Sequence, residues 1–201
     1  MTGYDRELVR RERAPNWRRH YSFRCSFAAL ILVAAATASE RLAAQSYADP
    51  VSGLAVDAPK PFAAQPGRPH RQFDVTIDVA SPTDKRRCTV GFKGKPQNAS
   101  LSKAEINAMM TKPEWQNVHK SLFERAGTVS DLVTFDHQGY TGVEMTVTPK
   151  AGPAGGSIRV FVSTVETPKG RTALICITDK DSIAAALSQF RAVRAGIRAP
   201  E

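Results

Sequence analysis

The 201-residue chain is most informative in what it lacks. It has no apolar run approaching the roughly 20 residues that a membrane-crossing helix needs. Its three cysteines include no C-x-x-C pair, and its four histidines include no pair at i, i+4. That removes the simplest thioredoxin-like and helical zinc motifs. There is no G-x-S-x-G elbow and no Gly-rich loop ending in Lys-Ser or Lys-Thr, so neither a serine hydrolase nor a phosphate loop is written in the sequence. Aromatics make up only 7% of the residues.

What is present begins with Phe27 to Ala38, a twelve-residue uncharged run preceded by Arg18, Arg19 and Arg24. A cationic segment, a short apolar segment and a small-residue cut site describe a secretory signal. Ala36-Thr37-Ala38 places the cut before Ser39, and Leu42-Ala43-Ala44 offers a later one. The expected layout is a signal peptide over 1–38 (alternative end 44), a flexible tail over 39–50 and a single domain over 51–201. The expected location is outside the cytoplasm, periplasmic or extracellular, with no transmembrane span in the mature chain. Seven of the 28 basic and three of the 19 acidic residues precede Ser39, so the mature part carries a net charge of +5 rather than +9. That mild excess suits an anionic surface or partner, and nucleic acid is not expected as a ligand.

Cys88 and Cys176 survive the cut. In an oxidising compartment an even count reads as a structural disulfide. Two free buried thiols and a redox pair are the alternatives.

Phe73-Asp74-Val75-Thr76-Ile77-Asp78-Val79 alternates apolar and polar residues, as a half-buried strand does. Phe73, Val75, Ile77 and Val79 are expected on its core face. Cys88, Val90 and Phe92 supply a hairpin partner. Ala58 to Pro69 holds four prolines and reads as a loop or edge crossing. Ser102-Lys103-Ala104-Glu105 is a capping box, with Leu101 and Ile106 at the staple positions. Thr111-Lys112-Pro113-Glu114 repeats the pattern. Trp115, Val118, Leu122, Phe123 and Ala126 then follow at helical spacing, and Gly127 closes the helix. Strands are expected over Val129–Asp136, Val143–Val147, Ile158–Val162 and Thr172–Thr178. A final helix starts at Asp179 or Asp181 and buries Ile183, Leu187, Phe190, Val193 and Ile197. The expected fold class is α+β: a single antiparallel β-sheet of about six or seven strands with helices packed on it.

Gly53-Leu54-Ala55-Val56-Asp57-Ala58-Pro59 is followed by strand, hairpin, helix, meander and terminal helix over roughly residues 51–197. This order resembles the PsbP-like family of extrinsic photosystem proteins and their bacterial relatives. The resemblance implies an α/β/α sandwich serving as a binding or assembly accessory. It assigns no functional residue to this chain.

No catalytic, cofactor or metal-ligating set is expected. Asp136-His137 reads as a turn pair, and Asn98-Ala99-Ser100 matches the glycosylation pattern. Lys85, Arg86, Arg87, Lys93 and Lys95 form a candidate basic contact patch for an envelope protein or anionic surface. The expected function is a non-enzymatic binding or assembly accessory of the cell envelope. The competing reading is a hydrolase or other enzyme using His137 or His119.

Overall fold

A computed structural model describes residues 45–150 apart from 84 and 85, and residues 155–201. The expected export segment lies outside the described residues. In chain order the elements are β1 (Ser46–Ala48), β2 (Ala55–Asp57), β3 (Ala63–Pro66), β4 (Val75–Ala80), β5 (Arg87–Gly94), α1 (Lys103–Met110), α2 (Pro113–Glu124), β6 (Gly127–His137), β7 (Tyr140–Pro149), β8 (Ile158–Thr167), β9 (Gly170–Asp179), α3 (Ile183–Ala195) and β10 (Ile197–Arg198).

Alternating residues build the main sheet, which is antiparallel throughout and has seven strands in the order β3-β4-β5-β9-β8-β7-β6. Neighbours on one strand point to opposite faces, and β8 shows this directly. Phe161 stacks on Phe190 of α3, within a core that includes Leu54, Ile77, Val90 and Leu174. Val162 belongs to a second core with Ile106 and Met110 of α1 and with Met145 of β7. Helices therefore lie on both sides of the sheet, with α3 on one face and the α1–α2 pair on the other.

Cys88 and Cys176 are direct partners in the β5–β9 register, and a disulfide joins them beneath α3. The sulfurs are buried in apolar surroundings, as a structural bridge requires. The expected pairing is thus present.

The expectation of a single sheet is corrected. A separate three-stranded sheet, β1-β2-β10, lies alongside the main one. It recruits Ser46–Ala48 from the segment expected to be a loose tail, because Tyr47 pairs with Val56 and packs on the α3-side core. Part of the proline-rich segment is also regular: β3 pairs with β4 as an edge strand, where Pro66 has no ladder bond to lose.

The helices depart from expectation in three ways. The capping box at Ser102 and Glu105 is formed, with both reciprocal bonds in place. The second box is not: α2 is preceded by Lys112, which gives no side-chain cap, and Thr111 instead closes α1. Gly127 opens β6 rather than ending α2. Finally, α3 starts at Ile183 after a 3-10 turn over Lys180–Ser182 and stops at Ala195. Ile197, expected on the helix, is a strand residue paired with Val56.

Phe73 is also displaced from its expected core face. It precedes β4, and its ring lies over Gly91. Gly91 pairs with Thr76, so the ring covers the side opposite Val75 and Ile77. Only a residue without a side chain leaves room for it.

Candidate functional site

The main contacts of α1 and α2 fall on β6, β7 and β8. Among the described residues no helix packs mainly on the same face of β3, β4, β5 and β9. Cross-strand register places Gln65, Asp78, Thr89 and Ile175 in one row on that face, in line with the helix-covered Val162. Arg87 and Ile177 occupy the next row. Together with Arg68 these residues line a cleft of about 680 Å³. A second hollow of about 440 Å³ at Lys60, Pro61 and Phe62 shares Gln65, Ala80, Ser81 and Pro82 with it. The two form one concavity that follows the β3 edge.

The cleft is chemically mixed. Ile175 and Ile177 lie in it beside Gln65, Asp78 and Thr89, and Ile177 is 43% exposed there. Thr89 Oγ1 donates to Asp78 Oδ1 at 3.1 Å. Arg68 comes from the Gly67–Asp74 loop, which is tied down where Thr76 Oγ1 donates to the Arg68 carbonyl at 2.7 Å and the Gly67 amide donates to the Thr76 carbonyl at 2.8 Å. Among the described residues neither the Arg68 nor the Arg87 guanidinium has a carboxylate partner. An unpaired guanidinium offers planar, bidentate donors to a carboxylate or a backbone carbonyl.

The histidines do not converge. His70 sits in the exposed loop, where its Nδ1 accepts from the Gln72 amide and its ring packs against Phe73. His119 is buried on the α1–α2 side. Its Nδ1 is 2.9 Å from the Trp115 carbonyl, and its Nε2 has no partner. Burial holds the His119 pKa below its ordinary value, and Arg171 and Lys95 act in the same direction against Trp115 and Glu166. His137 lies on the α3 side, beside a small cavity with about 10 Å³ open to the centre of a water molecule. Burial lowers its pKa too, with Arg194 adding to the effect. A hydrolase centre would need a base within hydrogen-bond reach of a bound substrate. One of these sites has space for a single water, and the wide cleft is lined by no histidine. Among the described residues no group of His, Cys, Asp and Glu is arranged to hold a metal ion.

The candidate basic residues are spread along and beyond β5. Arg87 opens the strand and Lys93 lies six residues further on, which is about 20 Å in extended chain. Lys93 pairs with Asp74. Lys95 joins Arg171 on Glu166, whose carboxylate is 1% exposed. Burial alone would raise the Glu166 pKa, but Arg171 and Lys95 outweigh it and the net shift is downward. Arg86 reaches Gln189 of α3. Lys85 lies outside the described residues. Of the four that are described, Arg87 is the one that lines the cleft. The Asn98 of the glycosylation pattern is buried, and its amide donates to Glu166 Oε2 at 3.0 Å and to the Thr167 carbonyl at 3.1 Å.

Sequence reasoning missed the cleft. One signal was available: β9 is apolar on both sides, so Ile175 and Ile177 needed cover that no described helix supplies.

A seven-stranded antiparallel sheet with helices on both faces, entered through a glycine-led strand, is the PsbP-like fold. The solution structure of cyanobacterial PsbP from Synechocystis sp. PCC 6803 shares it, with a TM-score of 0.52 at 11% identity over 79% of this chain and 94% of that one. LpqN of Mycobacterium tuberculosis, a protein involved in cell envelope biogenesis, gives a TM-score of 0.46 at 10% identity over 72% of this chain and 81% of that one. The resemblance read from the sequence thus holds at the level of fold. No family model and no curated protein matches the chain.

Proposed function

We propose that the mature domain works outside the cytoplasm as a non-enzymatic binding module, an accessory of the cell envelope that docks an extended segment of a partner protein in the cleft along β3. The observation that carries this reading is the half of the sheet face that no described helix covers, where exposed Ile177 lies among polar side chains and the Arg68 and Arg87 guanidiniums have no carboxylate partner among the described residues. The buried Cys88–Cys176 bridge supports the compartment, since such bonds persist where the environment is oxidising. The leader over 1–38 supports export. The fold is compatible with this role but does not by itself license it.

The test has two arms. A photo-reactive residue at Ile177 or Thr89 should crosslink to a discrete partner in intact cells, while the same probe at Val118, on the outer side of α2, should not. Fractionation should find the chain outside the cytoplasm with both thiols resistant to alkylation. Equal labelling at both surfaces would reject the cleft. A cytosolic chain with open thiols would reject the compartment.

A further inference from the structure

The charges around the cleft are uneven. Arg68 and Arg87 line it and Lys60 lines the adjoining hollow, against Asp78 as the one carboxylate among the described residues there. All three cations are exposed. No described carboxylate forms an ion pair with any of them. Asp78 already accepts from Thr89. Asp74, the acid at the end of the Arg68 loop, is held by Lys93 and by the Gly94 amide. The concavity therefore presents spare positive charge, and what complements it is an anion from outside.

An apolar position lies directly beside one of these cations. Arg87 and Ile177 are partners in the β5–β9 register, and the same row continues to Ala80 on β4 and Ala63 on β3. Cross-strand neighbours stand about 5 Å apart, and side chains on one side of an extended segment recur about every 6.6 Å. An acid placed at Arg87 therefore brings the residue two positions along within reach of Ile177. The small side chains of Ala63 and Ala80 keep the rest of the row low, so a peptide backbone can approach the sheet there. In the next row Asp78 repels an acid that is shifted along the strands, which fixes the placement.

We infer that the cleft selects an acidic segment: its occupant is an extended stretch of a partner protein that carries Asp or Glu with an aliphatic residue two positions away. Arg87 takes the carboxylate through its planar fork of donors, and Ile177 takes the aliphatic side chain. Arg68, on its anchored loop, supplies a second guanidinium to the same stretch. This names the chemistry of the partner and rests on the docking reading given above. A lipid headgroup would satisfy the same arginines, but a concave site with Ile175 half-buried in it suits a narrow chain and not a flat bilayer.

Panning a random dodecapeptide library on the purified chain, with its disulfide intact, tests the selectivity. Recovered peptides should be enriched in Asp or Glu with Val, Ile or Leu two places away, and the best of them should shift the amide NMR signals of Thr89 and Ile177. Arg87→Gln should weaken that peptide about tenfold. Arg87→Glu should turn the preference at that place to Lys or Arg, which a loss of packing alone would not do. The Arg87 side chain is exposed and outside the core, so both variants keep the fold. Peptides that shift the same signals without an excess of acid, or an acid preference unchanged in Arg87→Glu, overturn the selectivity and leave the docking reading standing. Peptides that shift α2 instead, or no recovered peptide, reject the docking reading with it. Vesicles of phosphatidylcholine and phosphatidylglycerol that bind the wild type but not Arg87→Glu, with no acidic peptide recovered, would give the arginines to lipid and overturn the peptide.

Discussion

Glu166 shows how a single buried carboxylate organises its surroundings. Three donors converge on it, Lys95 and Asn98 from the segment after β5 and Arg171 from β9. Its side chain is 1% exposed, whereas Lys95 and Arg171 are about one-fifth exposed. Removing the carboxylate strands cations that can partly rehydrate, so the loss lies below the 3–5 kcal/mol of a fully buried pair. Glu166→Ala should cost about 2–3 kcal/mol in urea unfolding at neutral pH. Lys95→Ala should cost under about 1 kcal/mol, because Arg171 remains. Arg171 lies five residues on, opposite Glu166 in the β8–β9 hairpin, but Lys95 and Asn98 are about seventy residues away in sequence, so nothing local marks Glu166 as buried. Gly91 was equally silent. Alternation put Phe73 with Val75 and Ile77, and the gap that lets its ring cross to the other side is an absent side chain on the next strand. Gly91→Val should cost about 1–3 kcal/mol by overpacking, read in the same unfolding experiment.

Elements were legible where a repeating pattern or a cap fixed them. The β4–β5 hairpin follows from alternation alone. The start of α1 follows from its box, because two otherwise orphaned amides find side-chain acceptors there. Ser102→Ala should therefore cost about 1 kcal/mol. Thr111→Ala should change the urea midpoint little, since its hydroxyl caps no amide and only donates to the Ala108 carbonyl. Of the short strands, only β2 was legible, from the apolar run Leu54-Ala55-Val56. The elements β1, β3 and β10 have two to four residues each, too few to show a period, and their pairing is decided by neighbours remote in sequence. The stripe read on α2 holds in part: Phe123 packs against the second core and Trp115 is half-buried beside His119. Val118 and Leu122 are about half exposed, while His119 is the buried residue. Its ring bonds the carbonyl one turn back, which makes a polar side chain tolerable at a core position.

At the scale of the molecule, the disulfide and the two buried histidines set how stability responds to conditions. The bridge spans a sequence separation of 88 residues, which corresponds to about 4–5 kcal/mol of loop-closure entropy. Reduction, or replacement of both cysteines by alanine, should lower stability by up to that amount in urea unfolding. His119 and His137 are held neutral in the fold, with pKa values below the ordinary 6.5. The unfolded chain then binds more protons once the pH falls below 6.5, so acid favours unfolding. Glu166 is shifted down from 4.5, and its contribution is present above that value and lost as the pH falls further. Calorimetry should show a melting temperature level above about pH 7, declining below 6.5 and again below 4.5. A level trace down to pH 5 would contradict the histidine part. The fold itself was legible as a pattern of elements. The cleft was not, because its walls come from four strands and a loop, and strand order in a sheet is not written in any one strand.

The placement of Asn98 has a practical edge. Its side-chain nitrogen is occupied inside the folded domain, so a sugar chain there and the native structure exclude each other. In a eukaryotic secretory host, co-translational transfer of an oligosaccharide would compete with folding, and every decorated molecule would be lost to quality control. Ser100→Ala destroys the acceptor signal without touching the amide, and should raise the yield of monodisperse product from such a host.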